Sequence, residues 1–227
     1  MKLRDFGPSL GFFCAFAFTL ACSQSLRAQA VPGVSDKEIL IGSCAALEGP
    51  SSALGTQTVA GAKAYFSLAN EEGGVHGRKL RLISYDDSYD PAKTQACFDK
   101  LMADKVFALG FFVGTPTAVK YLPLAEENKV PLVGLFTGAQ TLYTPLRHWV
   151  INVRASYFDE TREQIDGMWT ALGFKKIGVI YPDDAFGAAV LEGVKEALQT
   201  HQSEPIDRKS TRLNSSHLPT SRMPSSA

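Results

Sequence analysis

Phe107-Ala-Leu-Gly-Phe-Phe-Val-Gly-Thr-Pro-Thr117 reads as a buried strand that stops at a glycine and turns straight into a helix. Thr115 suits the N-cap, and Pro116 suits the first helical position, where a missing N–H costs nothing. The free N–H groups of that first turn would face outward at the carboxyl end of the strand. Such a spot favours an anion, for instance a carboxylate. In an open α/β sheet it is also where ligands bind.

Working outward, the same strand–turn–helix rhythm recurs. Strands are expected over 39–42, 80–85, 106–113, 131–136 and 149–153. Between them lie helices over 56–70, 91–104 and 116–128. In the first helix Ala60, Ala62, Ala64, Tyr65 and Leu68 are candidates for packing on the sheet. Asp90 and Pro91 open the second, and Pro123 should kink the third. Alternating strands and helices with short turns predict a parallel sheet built from βαβ units. The near-continuous apolar runs at 108–113 and 132–136 fit strands covered on both faces. A second series follows: helix 158–172, strand 176–181 and helix 185–200. The expectation is an α/β fold with a doubly wound parallel sheet. Residues 31–154 form one near-complete lobe, the chain crosses near Arg154–Tyr157, and 155–206 begin a second lobe.

Both ends of the chain read as lying outside this fold. Lys2 and Arg4, an apolar run over 10–22 and Ala28-Gln29-Ala30 have the form of a secretory signal peptide cut after Ala30. The run is short for a membrane span. A lipoprotein anchored through Cys22 is the less favoured alternative, because Thr19 stands where a lipid-attachment motif wants a large aliphatic residue. Residues 207–227 are polar and aperiodic. Asp207-Arg-Lys-Ser-Thr-Arg-Leu-Asn-Ser-Ser-His217 and Ser221-Arg-Met-Pro-Ser-Ser-Ala227 back-translate, in one frame, to two parts of a common sequencing-library adapter. They are therefore expected to be a non-native tail, with the natural protein continuing beyond residue 206.

The charges of the 227 residues balance, but the two ends are basic, and residues 31–206 carry a net charge of about −5. No basic stripe is present, which argues against a nucleic-acid partner. Cys44 and Cys97 are the two cysteines outside the leader. Export permits a disulfide between them; the alternative is two buried thiols. Their spacing fits no metal motif.

Two strand ends offer small residues and polar backbone: Gly114-Thr115-Pro116-Thr117 and Thr137-Gly138-Ala139. Following consecutive parallel strands, they should sit side by side and could hold one carboxylate. Phe186, at the equivalent strand end of the second lobe, could wall a ligand in. Asp86, Asp87 and Asp90 lie near a helix start and need no function there. No nucleophile elbow, zinc-protease motif, Cys-x-x-Cys or phosphate loop is visible, nor a dinucleotide fingerprint after the first strand. The expectation is therefore a binding protein, not an enzyme, with no cofactor and no metal.

Six segments together resemble the branched-chain amino-acid (leucine/isoleucine/valine) type of ABC-transporter solute-binding protein, a class I periplasmic binding protein. They are Gly33-Val-Ser-Asp-Lys-Glu-Ile-Leu-Ile-Gly42, Glu48-Gly-Pro50, Asn70-Glu-Glu-Gly-Gly-Val-His-Gly-Arg-Lys79, Tyr85-Asp-Asp-Ser-Tyr-Asp-Pro91, Gly114-Thr-Pro-Thr117 and Lys176-Ile-Gly-Val-Ile-Tyr181. The resemblance implies two hinged lobes closing on an amino acid or related small carboxylate or amide, a periplasmic location and an inner-membrane ABC permease as partner. It places ligand contacts at Gly114, Thr115, Phe136, Thr137, Gly138 and Ala139, with Phe186 as the aromatic wall. The acidic partner of the ligand's ammonium would lie beyond residue 206. Leu54 stands where an aromatic residue often closes the pocket, and Gly114 where a serine is frequent. The alternative is the ligand-binding input domain of an exported sensor.

Overall fold

The computed structural model describes residues 31–211; the leader, with Cys22 and the Ala30 cleavage site, and residues 212–227 lie outside the described residues. Strands β1 (Glu38–Ala45), β2 (Lys79–Asp86), β3 (Ala108–Gly110), β4 (Leu132–Val133) and β5 (Val150–Ile151) form one sheet in the order β2-β1-β3-β4-β5. All four pairings are parallel. The order reverses between β1 and β3, and the crevice outside the carboxyl ends at such a reversal is the usual ligand position.

Helices cover both faces, as side-chain alternation along β1 shows. Leu40 and Cys44 join the larger core, where Phe98 and Leu101 of α2 (Pro91–Ala103) and Tyr121, Leu122 and Ala125 of α3 (Thr115–Asn128) pack. Gly42 points the same way, at the Leu101 side chain. Ala45, on the alternate register, packs instead with Val59 of α1 (Ser52–Glu71). A disulfide joins Cys44 of β1 to Cys97 of α2, with Cα atoms 6.1 Å apart.

Helix α1 departs from the sequence reading. It begins at Ser52 rather than 56, and its buried face is Gly55, Val59 and Ala62. Ala60, Ala64, Tyr65 and Leu68 face solvent, Tyr65 at 67% exposure. The cause is the close crossing of α1 over the end of β1. A Cβ on Gly55 would sit 1.9 Å from the Ala46 carbonyl oxygen, so this glycine fixes which stripe faces the sheet.

The two central strands are also shorter than their apolar runs. Phe111 has φ +62° and Gly134 has φ +62°, so each chain leaves the ladder after Gly110 and Val133. Pairing resumes as a single parallel bridge between Val113 and Phe136. These paired irregularities re-aim the residues that follow, as bulges do beside binding sites. Helix α3 runs through Pro123 without ending. The carbonyl that proline leaves unpaired, four residues back at Val119, belongs to an exposed residue that water can reach.

After the crossing, α4 (Tyr157–Asp166) starts at a reciprocal capping box between Ser156 and Asp159, then relaxes into a π turn over Gly167–Ala171. Strand β6 (Gly178–Pro182) and helix α5 (Ala185–Thr200) follow. Ile165, Val194, Ala197 and Leu198 make a separate, smaller core between α4 and α5. Asp207–Thr211, which the sequence reading set outside the fold, pairs with β6 as a parallel strand, β7. All five of its residues are exposed. A backbone ladder is indifferent to side-chain type, so an edge strand such as β6 can pair with any extended segment.

Candidate functional site

A cleft opens at the carboxyl ends of the first lobe's strands. It consists of two adjoining hollows of about 250 and 320 Å3 that share Phe136, Tyr157 and Phe186. Three strands deliver a residue within four positions of their ends, Tyr89 after β2, Gly114 after β3 and Phe136 after β4, and Leu54 comes from the first turn of α1. Tyr157 and Phe186 come from the first turns of α4 and α5. Their rings meet edge to face, with centroids 5.3 Å apart. Such rings give large apolar contact together with fixed geometry.

The two strand ends paired in the sequence reading do lie together. The Thr115 and Thr137 hydroxyl oxygens are 2.8 Å apart. Both residues are buried, at 4% and 1% exposure, and satisfy each other beneath the cleft wall. Thr137 Oγ1 also accepts from the Ala139 N–H, and the Tyr157 hydroxyl reaches it at 3.4 Å. Gly138 accepts the Tyr157 N–H at 2.7 Å through its carbonyl, and a Cβ there would be 2.9 Å from the Tyr157 ring. Of the seven predicted site residues, Gly114, Phe136 and Phe186 line the cleft, whereas Thr115, Thr137, Gly138 and Ala139 do not, Thr137 and Gly138 instead contacting Tyr157.

Thr115 is not the N-cap. That position is Gly114, with φ +105° and no side-chain cap, and Thr115 is the first helical residue. The Tyr89 ring lies against Gly114, at the start of α3. Burial pushes the Tyr89 phenol well above its ordinary range, with the charges of Asp184, Tyr157 and Asp87 adding to it, so it acts as a neutral hydroxyl. Its ring also explains the glycine. A Cβ on Gly114 would lie 2.5 Å from Tyr89 Cε2, so no serine fits at 114 with Tyr89 in this position.

Charge enters the cleft through Arg154, in the segment between β5 and α4. Its guanidinium carbon lies 5.9 Å from the Phe136 ring centroid and 5.4 Å from that of Tyr157. Arg154 Nε and Nη2 both donate to Glu160 Oε1, the former at 3.0 Å. Glu160 and Gln164 project from successive turns of α4 into the same hollow. The sequence reading did not single out Tyr89, Arg154, Tyr157, Glu160 or Gln164 as site residues. Tyr89 was within reach of the rule that applied to the other strand ends, since it follows β2 by three residues. The charged pair has no motif; only the capping signature at Ser156 marks where it stands.

Below the cleft, Asp87 is buried, accepting from the Tyr89 N–H at 3.1 Å and from the Thr94 hydroxyl at 3.4 Å. Burial raises its carboxyl to about 6 despite these bonds. Neighbouring Asp86 is held below the usual carboxylate range. Its partial burial acts the other way but is outweighed by the Ser88 hydroxyl and the amides of Leu47, Ser88 and Glu48. Both aspartates thus shape the loop that carries Tyr89. Among the described residues, no cluster of three His, Cys, Asp or Glu could hold a metal.

The geometry has clear relatives. A family described as periplasmic binding protein matches residues 38–216. The Leu/Ile/Val-binding protein homolog 2 of Brucella abortus (strain 2308) is 28% identical over 175 residues, covering 74% of this chain and 46% of that protein. Among solved structures, a possible leucine/isoleucine/valine-binding protein from Rhodopirellula baltica SH 1 superposes with a TM-score of 0.73. It is 34% identical over 82% of this chain and 50% of its own. A solute-binding protein of an R. palustris ABC transporter, solved in complex with benzoate, shares the fold at a TM-score of 0.70 and 20% identity, over 78% of this chain and 49% of its own. The chain spans about half the length of the curated relatives it matches. The parallel sheet with its 2-1-3-4-5 strand order and these matches agree, and the chain belongs to the periplasmic binding protein family.

Proposed function

We propose that this chain is part of an exported solute-binding protein that delivers amino acids, or related small carboxylates, to an ABC permease in the inner membrane. The observation that carries the reading is the convergence of Phe136 and Tyr89 from one lobe with Tyr157 and Phe186 from the other on a single cleft. An apolar side chain would lie between these rings, and its polar end would face Arg154 and Glu160. The names of the curated relatives, Leu/Ile/Val-binding proteins, support an amino acid with an apolar side chain.

Micromolar affinity requires about −8 kcal/mol. A helix end contributes about 1–2 kcal/mol to an anion at best. The balance must come from closing aromatic surface over the solute by rotation at the crossing, where the lobes are joined. The closed form is the one a permease would recognise.

Calorimetric titration of the protein expressed from its intact gene, against a panel of apolar amino acids and small carboxylates, tests the reading. At least one member should bind with micromolar affinity, and Phe186→Ala should weaken it about tenfold or more by removing one aromatic wall. A panel with no binder, or a binder indifferent to Phe186, would remove the basis for it.

A further inference from the structure

We propose that Asp87 is a proton switch for one wall of the cleft: with its carboxyl neutral, the Ser88–Tyr89 turn holds the Tyr89 ring against Gly114, and ionisation of the carboxyl releases it. The switch stands on the geometry of the turn; only its effect on a solute rests on the reading above.

The turn is a place where two arrangements can compete. Ser88 and Tyr89 have φ +52° and +60°, so two consecutive residues with side chains sit in the left-handed region that such residues rarely adopt. Backbone of this kind persists only where its surroundings hold it, and it recurs in switch regions. Here two carboxylates do the holding. Asp86 Oδ1 accepts the Ser88 N–H at 3.0 Å together with the amides of Leu47 and Glu48, and Oδ2 accepts the Ser88 hydroxyl. The partial burial of Asp86 is outweighed by these bonds, so it stays ionised and anchors the Ser88 end across the neutral range. The Tyr89 end has a different anchor. Its N–H donates to Asp87 Oδ1 at 3.1 Å, and Asp87 is fully buried.

Hydrogen counting sets the direction. Thr94 of α2 has one hydroxyl hydrogen and two acceptors within reach, the Asp90 carbonyl at 3.1 Å and Asp87 Oδ2 at 3.4 Å. A neutral Asp87 resolves the competition. Its own hydrogen goes to Thr94 Oγ1, the Thr94 hydrogen goes to the Asp90 carbonyl, and Oδ1 still accepts from Tyr89. An ionised Asp87 supplies no hydrogen, competes with Asp90 for Thr94 and leaves a buried charge short of donors, which drives it towards water. Reaching water means opening the turn at its Tyr89 end, where the left-handed strain is relieved as well. Burial, which raises the carboxyl to about 6, puts the change where a small shift in the surrounding pH acts on it. The groups coupled to Asp87 keep their charge there: Asp86 stays ionised, and burial keeps the phenols of Tyr89 and of Tyr121 in α3 neutral. Lys93 of α2 donates to the Ser88 hydroxyl at 2.9 Å, and Asp184, whose charge acts on the Tyr89 phenol, caps α5 through the Gly187 N–H.

The test follows the Tyr89 amide, the donor to Asp87, in the protein expressed from its intact gene and labelled with 15N-tyrosine. The peak missing from Tyr89→Phe assigns it. As pH rises through the neutral range, that peak should shift with a midpoint near 6. Above the midpoint its exchange with solvent should rise about tenfold beyond the intrinsic effect of pH. Asp87→Asn, whose amide can donate to Thr94 and accept from Tyr89, should hold the low-pH position throughout. A Tyr89 amide that does not titrate between about pH 5 and 7, or that titrates equally in the Asn variant, would overturn the switch. The wild-type titration decides by itself if the variant does not fold. Calorimetry with leucine and with benzoate, neither of which changes charge over this range, then reads the effect on the cleft. Whichever binds should bind about tenfold more weakly at pH 7.5 than at pH 5, should take up a proton on binding near pH 7, and should lose both effects in Asp87→Asn. Affinity that stays flat while the Tyr89 amide titrates would overturn the role of the switch in the cleft. Binding of neither probe would overturn the transport reading, and the Tyr89 titration would still decide the switch.

Discussion

Asp87 is the residue whose chemistry bears most directly on stability. Its carboxyl titrates at about 6 in the folded protein because burial disfavours its charged form, against 3.8 ordinarily. A folded-state value above the unfolded one means that the native protein holds its proton longer. Stability from this group is therefore complete below about pH 4 and is lost as pH rises towards 6, by at most about 3 kcal/mol. Asp87→Asn cannot ionise and should remove that loss. In urea melts at pH 4 and pH 7, the wild-type protein should lose stability relative to the variant as pH rises. Parallel curves for the two proteins would show that Asp87 is not protonated in the fold. Residue-scale reading of the sequence reached the neighbourhood of the site but not its outer surface. Thr115 and Thr137 were recognisable as polar groups at neighbouring strand ends. That their hydroxyls face each other, and that the Tyr89 ring packs against Gly114, depends on side-chain directions that go with Gly114 at φ +105° and Tyr89 at φ +60°. No local pattern encodes those angles at Tyr89.

At the scale of elements, alternating apolar runs and caps made the βαβ order legible, and the Asp90 cap with Pro91 at the start of α2 was read directly from sequence. The strand ends were less legible, because Phe111 and Gly134 leave the ladder while remaining in apolar runs. Of the residues expected to pack on the sheet from α1 only Ala62 is buried, because the burial of Gly55 reflects a close crossing, and hydrophobicity carries no information about closeness. Helix α4 is the element on which the site depends most. Ser156 accepts from the Asp159 N–H at 3.1 Å, Asp159 reciprocates at the Ser156 N–H, and the turn so fixed carries Tyr157 and Glu160 into the cleft. Ser156→Ala should cost about 1–2 kcal/mol of stability, as the loss of a buried cap does. It should also weaken solute binding, since the same turn positions both an aromatic wall and a charged group. Thermal melts and calorimetry on one preparation separate the effects. A stability loss without any change in affinity would place the cap outside the binding geometry.

At the scale of the whole molecule, the largest apolar core, built on β1, β3, β4, α2 and α3, shares no residue with the smaller core between α4 and α5. The Cys44–Cys97 disulfide lies entirely within the larger one, spanning 53 residues of sequence. Closing a loop of that length in the unfolded chain corresponds to about 4 kcal/mol in the chain-entropy treatment, with about 2–5 kcal/mol typical for native bridges. Because unfolding can proceed in contiguous units, the bridge should protect the first lobe and leave the second largely indifferent. Amide hydrogen exchange with and without reductant resolves this directly. In the oxidised protein, β1 and α2 should exchange more slowly than α5, whose core has fewer buried side chains. Reduction should accelerate exchange in β1 and α2 by two to three orders of magnitude, equivalent to about 3–4 kcal/mol, while α5 changes little. Equal acceleration in β1, α2 and α5 would mean that they unfold as one unit and that the bridge does not protect the larger core alone.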